Sequence, residues 1–84
     1  MATKTTFVVQ GFERKRGRLG PGSKDVAPTA SGALKRAEAL ANRLPGSSAI
    51  CVVADDETGD VQTITILGQF GEVPDDFADM LTGG

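Results

Sequence analysis

Arg14, Lys15, Arg16, Arg18 and Lys24 fall in one short stretch, and by type and spacing they are the side chains best suited to bind something. Clustered cations can contact phosphates, each contact steepening the salt dependence of binding, or they can meet an acidic protein surface. No aromatic residue stands between them to stack on a base, and the chain as a whole carries a net charge of −2. A nucleic-acid domain is expected to be basic instead. The same residues suit the solvated end of a strand, where cations keep an edge from pairing with another chain.

The other groupings fall short of chemistry. Asp55, Asp56, Glu57 and Asp60 resemble cation ligands, but a calcium-binding loop needs a Gly sixth and a bidentate Glu twelfth. Counting from Asp55, Gly59 is fifth and Ile66 is twelfth, so an acidic hairpin tip is the expectation. Gly17–Lys24 echoes a phosphate-binding loop, yet Ser23 precedes Lys24 in the reverse of the required order. Pro21 also removes one backbone donor from it. Cys51 lies in the most apolar segment and reads as a buried structural thiol. The chain has no His, the commonest general acid–base and the commonest metal ligand. No hydroxyl nucleophile has a base to activate it. The reading is therefore of a protein that is not an enzyme, with no catalytic residue, no cofactor and no metal.

Charge divides the chain. All nine Lys and Arg residues lie within residues 1–43, whose net charge is +6, while residues 44–84 carry eight acids and no cation, a net −8. Part of the acid has a local use: Asp75, Asp76 and Asp79 complement the dipole of a helix beginning at Pro74.

Length and composition set the scale on which these groups are held. Eighty-four residues make one domain with one modest core, drawn from Val, Ile, Leu and Ala with four Phe as anchors. Residues 1–4 and 82–84 read as disordered tails. A single Cys forms no internal disulfide. The N-terminus lacks the apolar stretch of a secretory signal, and no apolar run reaches membrane-spanning length. A cytoplasmic protein without membrane contact is the expectation.

The elements follow from periodicity. Thr5–Arg14 predicts a strand with apolar residues on both faces, hence one that is internal, or covered on one side and half covered on the other. A turn follows around Gly17 and Gly20-Pro21-Gly22, with a short return strand at Lys24–Ala27. Thr29 caps a helix running to Arg43, which buries Leu34, Ala37, Leu40, Ala41 and Leu44 and is stopped by Pro45-Gly46. Ser48–Ala54 predicts a central strand, joined by a hairpin at Asp55–Asp60 to a half-buried strand, Val61–Phe70, with Gly59 at positive φ. In the last strand Ile64, Ile66 and Phe70 are read on one face, opposite Thr63, Thr65 and Gln69, which leaves one sheet face wet. Pro74 opens a short terminal helix with an apolar edge of Phe77, Met80 and Leu81.

The succession Ala27-Pro28-Thr29, Gly32-Ala33-Leu34, Ala37-Glu38, Ala41, then Ala54-Asp55-Asp56-Glu57-Thr58-Gly59 and Gly71-Glu72-Val73-Pro74 resembles short bacterial proteins of uncharacterised function. The resemblance rests on a cap, a turn and a helix start. It implies a stand-alone bacterial protein and brings no site with it.

These readings combine into an α+β fold: a small antiparallel sheet of three or four strands, a long helix on one face and a short C-terminal helix, in the order β-(β)-α-β-β-α. The function expected is a small non-enzymatic protein-interaction or regulatory module, with a homodimer or an acidic protein as partner. Nucleic-acid binding through Arg14–Lys24 is the alternative. Whether the charge split is internal complementarity or a molecular dipole depends on which ends of the sheet the two tips occupy.

Overall fold

The computed structural model describes residues 2–74. The β-branched and aromatic run near the N-terminus forms β1 (Thr3–Lys15), followed by β2 (Arg18–Ala27), α1 (Ala30–Leu40), β3 (Gly46–Asp55) and β4 (Val61–Gly71). All neighbouring strands are antiparallel, in the order β2-β1-β3-β4. The fold is thus two hairpins set side by side, with α1 crossing β1 to link an outer strand to an inner one. The expected α+β class holds. The short C-terminal helix lies outside the described residues.

β1 and β3 are the interior strands, as their apolar sequences require. β1 begins at Thr3, so residues 3 and 4, read as tail from the sequence, pair with Asp55 and Ala54. The return strand is ten residues long rather than four. Its own residues (Gly20, Pro21, Gly22, Ser23) have poor strand propensity, and pairing along β1 overrides that preference. A register irregularity opposite Gly11 takes up the chain around Gly22-Ser23.

α1 begins as expected. Thr29 is extended, and its Oγ accepts the Gly32 amide at 3.0 Å. The helix ends at Leu40 rather than Arg43, because Asn42 and Arg43 turn back on Ala39 and Leu40 in tighter i+3 bonds of 3.2 and 3.0 Å. Its small face, Ala33 and Ala37, is fully buried against Val9, Ala27 and Ala49, with Phe7, Leu34, Leu40, Leu67 and Phe70 around them. The buried Ser47 hydroxyl donates to the Ala37 carbonyl and ties β3 to the helix, while Ser48 donates across to Gly68 at 3.0 Å. These bonds satisfy two hydroxyls that would otherwise be costly to bury.

The sheet's second face is not simply wet. Val8, Ile50 and Phe12 are buried there, Phe12 to 0% exposure, with Leu19, Val52, Ile64 and Val73 packed about them. Val73 reaches this face because the chain folds back after β4. The Glu72 amide bonds the Pro45 carbonyl at 3.0 Å, and Glu72 lies so close over Gly46 that a Cβ there would overlap its backbone. The face assignment in β4 also changes. Leu67 is an extra residue between the pairs Ile50–Ile66 and Ala49–Gly68, so Ile64 and Ile66 lie opposite the helix while Phe70 lies beneath it.

Eleven helical residues span only about 16 Å, whereas the thirteen of β1 span about 40 Å. α1 covers the sheet from the level of Phe7 to that of Gly11. β2 ends at Ala27, opposite Phe7. Beyond Phe7 the described sheet is three strands wide, and Thr5, Thr63 and Thr65 are exposed.

Candidate interaction site

The β1–β2 hairpin gathers most of the basic segment at one end of the molecule. Lys15 pairs with Arg18, which leaves Arg16-Gly17 as a two-residue turn. Both turn residues have positive φ, 53° and 78°, as a type I′ turn demands. Gly accepts that conformation freely, but for Arg16 it costs about 1 kcal/mol. Arg14, Lys15, Arg16 and Arg18 are all exposed. Arg14 donates to the Glu72 carboxylate, with both side chains about half exposed at 50% and 57%. Such a pair contributes about 0–1 kcal/mol. Lys15, Arg16 and Arg18 make no ion pair among the described residues.

Lys24 is not part of this tip. It sits six residues along β2, opposite Gln10, about 20 Å from Arg18. It borders a groove of about 450 Å³ between β2 and α1, where Arg36 comes from the helix, Arg43 from the turn that follows it, and Ser23 and Asp25 from the strand. Arg36 spans the groove, donating to Asp25 at 3.3 Å and to the Val26 carbonyl at 3.0 Å. From sequence these arginines read as the helix's solvated side. The tight turn after Leu40 keeps Arg43 on the same side as Arg36, and the strand order brings that side beside β2.

The acidic tip lies at the other end. Asp55 pairs with Thr3, at the start of β1, whereas the basic turn follows its end. Asp55 accepts the amides of Glu57 and Thr58 at 2.8 and 3.1 Å, and Gly59 stands at φ 79° as expected. Those amide bonds, Thr58 foremost, hold the Asp55 carboxyl below its ordinary pKa. The ionised form is the one that braces the turn. That support is present at neutral pH and disappears as pH falls through the depressed titration of Asp55. Among the described residues, no three His, Cys, Asp or Glu side chains come together as a metal ion would need. No helix of the described residues is long and apolar enough to cross a membrane.

The two tips are therefore separated by the length of the sheet, and the described residues extend 44 Å in their longest dimension. They do not neutralise one another. Lys4 at the acidic end and Glu72 at the basic end soften the polarity without reversing it. No protein family, curated protein or solved structure matches the chain.

Proposed function

We propose that the chain is a small non-enzymatic protein-interaction module that engages its partner through charge-polarised ends. The observation that carries this reading is the placement of Lys15, Arg16 and Arg18 at one end of the sheet and Asp55–Asp60 at the other. A field of this kind steers and orients an approaching charged surface, and mainly raises the association rate. The partner expected at the basic end is an acidic protein surface. Arg16 supports this, because its strained backbone puts a long cation at the apex where Gly or Asn would sit more easily.

Nucleic acid is the second reading, favoured by the same protruding cations with no acid paired to them among the described residues. Loss of Lys24 from the cluster reduces the available phosphate contacts, and no aromatic joins the tip.

The test is affinity capture from the native host at about 50 and 300 mM salt, followed by reconstitution with the identified partner. A Lys15→Glu/Arg16→Glu/Arg18→Glu variant is expected to bind that partner at least about tenfold more weakly. Equal affinity of the variant and the parent would remove the proposal. Titration of DNA and RNA at the lower salt separates the second reading, which requires binding that weakens steeply as salt rises.

A further inference from the structure

We infer that two copies of this chain join antiparallel through their β4 edges to form one continuous eight-stranded sheet. The inference rests on the interaction-module reading and names the partner as a second copy. The two outer strands differ in how they treat neighbours. β2 carries Arg18, Pro21, Lys24 and Asp25, the residues that discourage another strand from adding. β4, with the sequence VQTITILGQFG, has no charge and no Pro over eleven residues. No strand of the described residues pairs along its outer side. Val61 is 55% exposed and Ile66 37%.

Irregularities at Gln62 and Leu67 bound a regular run, Thr63–Ile66. That short run confines a central axis to Ile64 or Thr65. A two-fold axis perpendicular to the sheet keeps like faces together, so each residue must oppose one of the same parity. With the axis at Thr65, Thr65 faces its counterpart and Ile64 of each copy faces Ile66 of the other. β-branched pairs directly opposite one another are favourable, and Ile66 loses its exposure. The two helices then lie on the same face of the joined sheet.

Charge selects the direction. Antiparallel pairing sets each Asp55–Asp60 tip beside the Gly71 end of the other copy. Arg14, neutralised by Glu72, and Lys15, Arg16 and Arg18, unpaired among the described residues, project at that end, from strands that begin about 10 Å inward of β4. Parallel pairing would set the two acidic tips side by side. A seam this short makes a weak, concentration-dependent dimer.

The test uses the full chain with Thr65→Cys in a Cys51→Ala background, because Cys51 faces Thr65 within the same sheet and would capture the new thiol. In a glutathione redox buffer at high micromolar protein, Thr65→Cys is expected to form a disulfide-linked dimer. Thr58→Cys, at the acidic tip, is expected not to. The reverse pattern would overturn the antiparallel arrangement. Light scattering across concentration supplies the second measurement: the parent's mass rises towards the dimer, and Thr65→Lys stays monomeric with an unchanged circular dichroism spectrum. A parent that remains monomeric at millimolar concentration, or a Thr65→Lys variant that associates as well as the parent, would rule out this interface. If the parent is monomeric but the basic-tip variant still loses its captured partner, self-pairing fails and the interaction-module reading stands.

Discussion

Arg16 occupies a position where its residue type and its backbone disagree. The first central residue of a type I′ turn favours Asn, Asp or Gly, yet an Arg is held there at φ 53°. Arg16→Asn is expected to raise unfolding stability by about 1 kcal/mol, measured by urea denaturation. If the cation serves binding, the same variant will also lose affinity for the reconstituted partner. A stabilised variant with full affinity would make Arg16 an accident of the turn. Other single residues were legible from sequence because each has one strong physical preference: Thr29 as the cap, Gly59 at positive φ, Ala37 on the buried face of the helix.

At the scale of elements, the fold-back after β4 depends on a bare Gly46. Glu72 passes directly over it and delivers Val73 to the Phe12 cluster. Gly46→Ala is expected to displace this segment and cost about 2–3 kcal/mol, since the clash is with backbone and no side chain can rotate away. Denaturant unfolding measures the loss, and a cost below about 0.5 kcal/mol would show that the crossing is not needed. That crossing was not legible, because Gly71-Glu72-Val73-Pro74 reads locally as a turn into a helix. β1, β3 and β4 announced themselves by β-branched runs and alternation. β2 did not, because its pairing comes from β1 rather than from its own glycines. The faces of β4 were misread beyond Ile66 because one inserted residue reverses every side chain that follows.

For the whole molecule, the charge split was plain in the sequence, but its geometry was not. Which tip lies at which end depends on strand order, and periodicity carries no information about which strands are neighbours. Once β1 is seen paired to both β2 and β3, the answer is fixed: its first residues meet the acidic turn and its last residues lead into the basic one. The same order separates Lys24 from the tip and makes β4 an outer strand. A one-sided helix on a longer sheet has a further consequence, for motion rather than recognition. At the level of Val9, Ala49 and Gly68, opening the strands means undocking α1. At Thr5, Val53 and Thr63 it does not. Amide hydrogen exchange should therefore be graded within single strands, slow in the halves beneath the helix and faster towards the acidic tip by opening that leaves α1 in place. Uniform protection along β1 and β3 would mean that the sheet opens as one unit. A graded profile would make the acidic end a part of the molecule that rearranges while the rest stays folded.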